Sequence, residues 1–310
     1  MRILVTGADG FVGRYLVQDL VKRQHHVIGG VLHSNVDLAD ANETVCFNIT
    51  DNHEVDDVID KLQPDGIIHL AAQSMVGTAW KNPAETLLIN TIGTTNIVRS
   101  VSQFSRDTKV VTIGSSEEYG LTGKLGRALV EIDPCLPQNP YAISKFSAGL
   151  MAIQLALKDE INVVHARPFN HFGPHQRQGF VVSDFASQIA KIEQGLSAPI
   201  ISVGDLGAQR DFTDVRDVIY AYILLLEQEV ETGIYNICSG EPHTAREILD
   251  IMLSNTQVKI DVQIDKAKFR PSEVPLFIGS AGKLMQAVGW SPKRRFEDSI
   301  VETLNWWRNQ

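Results

Sequence analysis

The stretch MRILVTGADGFVGRYLVQDLV constrains the fold more than any other part of the chain. An apolar run ends in a turn carrying Gly7, Gly10 and Gly13, after which Val12, Leu16 and Leu20 recur at helical spacing. A strand that passes into a helix through three glycines can turn tightly, approach a pyrophosphate closely and pack helix against strand. The amides at the helix start then face the negative charge.

The same alternation continues. Apolar runs such as HVIGGV, GIIHLAA and KVVTIGSS are separated by amphipathic stretches such as EVDDVIDKL and TLLINTIGTTNIVRSV. This pattern predicts an α/β chain with a Rossmann-type, doubly wound parallel sheet. INVVHARPF and GIYNICSG supply further strands. Past Asn170 the alternation breaks into segments rich in Gly, Pro and charge, including GPHQRQG, VGDLGAQRD and DKAKFRPSEVP, which read as loops over a binding site. The expected organisation is a dinucleotide-binding domain over residues 1–170 and a smaller, interleaved C-terminal substrate-binding lobe over 171–310. Segments near 211–240 are expected to return to the first domain.

A net charge of −9 argues against a general nucleic-acid binder, and any polyanionic ligand must find local cations. Cys46, Cys135 and Cys238 are odd in number and too scattered for a zinc site, so they read as buried spectators in a reducing compartment. The longest apolar run, Val218 to Leu226, is too short to span a bilayer, and MRILVTG lacks the features of a secretory signal. The expectation is a cytoplasmic protein with no membrane partner and no metal.

Two segments carry chemistry. GSSEEYG follows the apolar run VVTI and gathers hydroxyls, carboxylates and a phenol. NPYAISK opens with a proline suited to a first helical turn and spaces Tyr141 and Lys145 four apart, on one helix face. A free phenol is a poor acid at neutral pH, and a nearby ammonium is expected to bring its pKa down.

The glycine spacing G-x-x-G-x-x-G, the Y-x-x-x-K pair and Ser115 at the end of the preceding strand together resemble the extended short-chain dehydrogenase/reductases. The resemblance covers nearly the whole chain. It implies Ser115, Tyr141 and Lys145 as catalytic residues. It places Gly7, Gly10, Phe11, Val12, Gly13, Asn48, Ile49, Leu70, Ala71, Ala72 and Asn90 along a nicotinamide cofactor, which Tyr141 and Lys145 also touch. No carboxylate stands in VIGGVLHSN to hold an adenine ribose 2′-hydroxyl. That absence favours NADP over NAD, with His33 and Ser34 near the 2′-phosphate.

RPFNHFGP, RDFTDVRD and RPSEVP resemble the nucleotide-sugar members, and RPSEV followed by LFIGS and GWSP resembles the GDP-mannose branch, which holds dehydratases and reductases. The resemblance implies substrate contacts from Gln73, Ser74, Glu117, Asn170, Arg210, Arg270 and Glu273. In the dehydratases the residue at Glu117 serves as a base. The short link LHSNVDLADANETVCFNIT lacks the arginine-bearing insertion of those enzymes. The implied activity is therefore reduction of the 4-keto group of GDP-4-keto-6-deoxy-D-mannose to GDP-D-rhamnose, with Glu117 a sugar ligand and Glu118 facing elsewhere. A GDP-mannose 4,6-dehydratase, a nucleotide-sugar 4-epimerase and a non-catalytic NADP-binding sensor are the alternatives. Two antiparallel helices beginning near Pro83 and Pro140 resemble the four-helix-bundle dimer of the family, with Ala148, Met151, Ala152 and Ala156 of the second suited to close contact.

Overall fold

The computed structural model describes residues 1–36, 38–265 and 273–310; Arg270 lies outside the described residues. In chain order the elements begin β1 (Arg2–Thr6), α1 (Phe11–Lys22), β2 (His26–Val31), β3 (Glu43–Cys46), α2 (Asn52–Leu62) and β4 (Gly66–His69). There follow α3 (Val76–Lys81), α4 (Pro83–Leu87), α5 (Gly93–Phe104), β5 (Lys109–Ile113), α6 (Pro140–Asp159) and β6 (Val163–Pro168). A π-helical turn, Leu88–Ile92, joins α4 to α5.

These strands build a seven-stranded parallel sheet in the order β10-β6-β5-β4-β1-β2-β3, with β10 (Gly233–Ile237) contributed from later in the chain. The inner strands are apolar on both faces because helices cover both, while the edge strand β3 is largely exposed. Successive residues alternate between two cores, as a repeat of two requires. Ile3, Val5, Ile68 and Val111 join α1 residues Leu16, Val17 and Leu20 on one face. Leu4, Ile67 and Val110 join Val55, Ile59, Ile97 and Val101 of α2 and α5 on the other. Each fully buried side chain of this size contributes roughly 1.5–3 kcal/mol. β1 pairs with β2 on one side and β4 on the other, so the chain winds outward in both directions from this point and a crevice opens at the strands' C-terminal ends.

The remaining elements are β7 (Asn170–Phe172), α7 (Val181–Glu193), β8 (Ile200–Val203), β9 (Gln209–Asp214), α8 (Val215–Glu227) and β10 (Gly233–Ile237), then β11 (Pro242–Thr244), α9 (Ala245–Ser254), β12 (Asp261–Ile264), β13 (Leu276–Phe277), α10 (Gly282–Val288) and α11 (Phe296–Arg308). β9 pairs with β7, β11 and β13 in a small second sheet. Phe172, Phe185, Phe212, Ile248 and Leu304 share a separate core beside it. The chain then crosses back. α8 follows β9 directly, with Asp214 capping its first turn, and buries Val218, Tyr222 and Leu225 against the main sheet. Buried Asp211 accepts hydrogen bonds from the Ser239 and Gly240 amides and the Ser239 hydroxyl, fastening β9 to the chain leaving β10.

Two expectations change. The helices that start at Pro83 and Pro140 each return the chain from one parallel strand to the next, so they run in the same sense rather than antiparallel. Ala148, Ala152 and Ala156 face inward, where their small size brings α6 close to the sheet; of the named set only Met151 points out. The outward face of α6 instead carries Ile143, Leu150 and Leu157, the last two 46% and 60% exposed.

The first glycine turn is sterically closed. Gly7 has φ +66°, and a Cβ on Gly13 would overlap the Gly7 carbonyl oxygen and stand 2.7 Å from that of Ala8. Gly13→Ala is expected to destabilise the protein by about 1–3 kcal/mol, because only backbone could give way. A urea transition with an unchanged midpoint would show that the turn has more room than this.

Candidate active site

A cleft of about 910 Å³ lies over the C-terminal ends of the sheet. At one end is the start of α1. Gly10 is its N-cap and contributes no side-chain cap, so the first-turn amides of Phe11, Val12 and Gly13 face the cleft as donors. Leu70, Ala71 and Ala72, beyond β4, form the adjoining wall. They are held down by the Thr6 hydroxyl, which accepts the Ala71 amide (3.2 Å) and meets His69 Nδ1 (2.8 Å). Burial and the charge on Lys145 push His69 down to about 3, which leaves its ring neutral.

Ser115, Tyr141 and Lys145 converge at the middle of the same cleft. β5 ends at Ile113 and delivers Ser115 to the cap of a 3₁₀ turn, Ser116–Tyr119. Asn139 caps α6 by accepting the Ala142 amide, and Pro140 opens the helix that presents Tyr141 and Lys145. The Ser115 side chain and the Tyr141 phenol line the cleft together. Lys145 Nζ donates to the Ile113 carbonyl (2.8 Å), and burial lowers it to about 8. The phenol does not follow the sequence expectation. Burial raises it to about 12, the neighbouring Ser115 side chain opposes that rise, and the carboxylates of Glu117 and Glu118 add to it.

The far end of the cleft holds Glu117, Asn170 and Arg210. Glu117 is exposed and accepts from Asn139 Nδ2 (3.2 Å). Asn170 donates to the Asp211 carbonyl, and Arg210 donates to the carbonyls of Gln209 and Val274 while lying over the Phe277 ring. Burial lowers the Arg210 pKa. Ser74 lies on the wall between, within 3.5 Å of Arg177.

Other residues singled out in the sequence stand away from these walls. His33 and Ser34 sit in an exposed turn after β2, and Asn48 accepts from the Thr50 amide and hydroxyl. Ile49 is core. Buried Asn90 bonds the Gln73 backbone through both ends of its amide and donates to Ser144, so it braces the loop after β4 against α6. The Gln73 side chain closes that loop on Met75 and Thr86. Glu273 pairs with Lys124 on the surface (3.4 Å). The cleft includes residues that spacing did not single out: Arg177, and His171, whose ring stacks parallel to Phe11 at 6.4 Å. Their one signal is position, in RPFNHFGPHQRQG beside Asn170.

The arrangement suits proton transfer beside an anionic cofactor. Donors for a diphosphate lie at one end, a protonated phenol and an ammonium in the middle, and a second cationic end opposite. The protein-family model described as GDP-mannose 4,6 dehydratase matches residues 4–303. A GDP-6-deoxy-D-mannose reductase of Pseudomonas aeruginosa is 33% identical over 309 residues, covering 100% of this chain and 98% of the relative. GDP-mannose 4,6 dehydratase 1 of Arabidopsis thaliana is 29% identical over 318 residues, covering 96% and 87%. The solved structure of RMD from Pseudomonas aeruginosa complexed with NADPH superposes with a TM-score of 0.86 at 32% identity, covering 100% of this chain and 99% of that one. The strand order, the glycine turn and the match along nearly the full length place this chain in the GDP-mannose 4,6 dehydratase family.

Proposed function

We propose that the protein reduces the 4-keto group of GDP-4-keto-6-deoxy-D-mannose with NADPH, giving GDP-D-rhamnose. One observation carries this reading: a single cleft joins the uncapped start of α1 to Ser115, Tyr141 and Lys145, and those to Asn170 and Arg210. The glycine turn fits a dinucleotide diphosphate, since side chains at Gly7 or Gly13 would collide with neighbouring backbone and Gly10 leaves the amides uncovered. NADPH, when bound, supplies the hydride; NADH is the alternative donor.

The chain's own residues handle the proton and the charge. Ser115 donates to the keto oxygen and keeps the sugar's carbon 4 beside Tyr141. Tyr141 gives its proton to that oxygen as it becomes an alkoxide, and a phenol held at about 12 is fully protonated at neutral pH, as this direction requires. The Lys145 ammonium offsets the negative charge left on the phenol. Glu117 and Arg210 face the sugar and its diphosphate, with Arg177 a further cation. The link of residues 32–42 between β2 and β3 is short, which supports the reductase over the dehydratase.

The exposed apolar face formed by Leu87, Leu88 and Ile92 with Ile143, Leu150 and Leu157 of α6 is assigned to a second copy of this chain. No helix among the described residues is long and apolar enough to cross a membrane.

Purified protein is expected to consume NADPH only when the 4-keto sugar is present. Tyr141→Phe should abolish turnover with cofactor binding retained, and Glu117→Gln should keep most of it, since hydride delivery at carbon 4 needs no carbon-5 base. Water loss from GDP-mannose without added reductant would mean a dehydratase. The pH profile should carry one alkaline limb. Lys145 is charged below its pKa, so kcat/KM falls as pH rises through about 8, while Tyr141 stays protonated; a rate flat to pH ~10 would contradict the role given to Lys145. Leu88→Lys with Leu150→Lys should sediment as a monomer, and an unchanged mass would refute the assigned interface.

A further inference from the structure

Directly beneath the catalytic serine lies a carboxylate that the chemistry above does not use. Glu118 is completely buried. Its Oε1 accepts the Ser115 amide (2.8 Å) and lies 3.2 Å from His165 Nε2, and its Oε2 receives Arg167 Nε (2.9 Å) and Nη2 (2.8 Å). Arg167 is itself buried and lies 4.6 Å over the Tyr119 ring. The carboxylate thus joins the end of β5 to β6.

Space for this group is built into two other elements. A Cβ on Gly114 would overlap both Glu118 Oε1 and His165 Nε2, and a Cβ on Gly149 of α6 would stand 2.5 Å from His165 Nε2. Burying a carboxylate is costly even when paired, and an apolar side chain of similar size would fill the volume without that cost. What an apolar side chain lacks is an acceptor for the Ser115 amide that is itself fixed from β6. On the other side of the same residue, the Ser115 hydroxyl accepts the Glu117 amide (3.2 Å) and lines the cleft with Tyr141.

We propose that Glu118 is a positioning residue: by holding the Ser115 amide against the Arg167 and His165 anchor on β6, it sets the direction of the Ser115 hydroxyl toward Tyr141 and the substrate oxygen. The inference rests on the reductase reading. Glu118 does not line the cleft, so its effect passes entirely through Ser115. Losing the acceptor therefore affects turnover, not binding.

The test is a double-mutant cycle on the full-length protein with NADPH and the 4-keto sugar. Glu118→Leu is made with Arg167→Met, so that neither charge stays buried alone, and is compared with Glu118→Gln in the same Arg167→Met background, which keeps an acceptor. The Leu pair should lower kcat by about tenfold or more with KM and NADPH affinity within about twofold, and the Gln pair should restore most of it. In a Ser115→Ala background the Leu and Gln pairs should differ by less than about twofold. An equal loss in both backgrounds, a change carried by KM, or no rescue by Gln would overturn the inference. If the Leu pair does not fold, Glu118→Met with Arg167→Met, which also removes the acceptor, gives the same cycle with and without Ser115→Ala, and additive effects overturn the inference. A wild-type protein that leaves NADPH untouched refutes the reductase reading itself; wild-type turnover with an additive cycle refutes only the role of Glu118.

Discussion

β1 is hydrogen-bonded to β2 on one side and to β4 on the other, and the chain departs from it in opposite directions. Connections that leave in opposite directions cannot cover the ground between them, so the strand ends stay open there. Every other feature of the site uses that opening. The glycine turn caps β1, the Leu70–Ala72 wall caps β4, and the Thr6 hydroxyl ties the two together. Residues of β7 and β9 line the far side, and β9 runs directly into α8, which packs on the main sheet.

The electrostatics of the cleft are set by burial before they are set by charge pairs. Lys145 comes down and Tyr141 goes up chiefly because water is excluded from both. A phenol of raised pKa enters the reaction protonated, the form that reduction of a ketone requires. Glu118 shows the opposite balance. Burial would keep it protonated, but the His165 ring and the Arg167 guanidinium bring it down to about 2. Its charge therefore persists at any working pH, and the Ser115 amide always has an anionic acceptor.

Much of the fold could be read locally. Strands buried on both faces betray themselves as continuous apolar runs, and α1 shows one apolar stripe because a single face of it meets the sheet. The pairing of Tyr141 with Lys145 on α6 needed only the four-residue spacing. Helix α6 was less legible at its surface. It is apolar nearly all round, so periodicity could not say whether its alanines or its larger residues faced outward. The resemblance puts Asn90 beside the cofactor, but its bonds to the Gln73 backbone and Ser144, partners far away in sequence, could not be read from spacing.

The sequence by itself determined the strand–turn–helix at the start, the parallel α/β class and the residues able to exchange a proton, because each follows from spacing within one or two turns of chain. Only the tertiary structure decided that Glu118 meets Arg167 and His165, that Arg177 reaches the cleft wall, and that the phenol's pKa rises. Those outcomes depend on solvent exclusion and on partners brought together from separate strands, and neither quantity exists until the chain has packed.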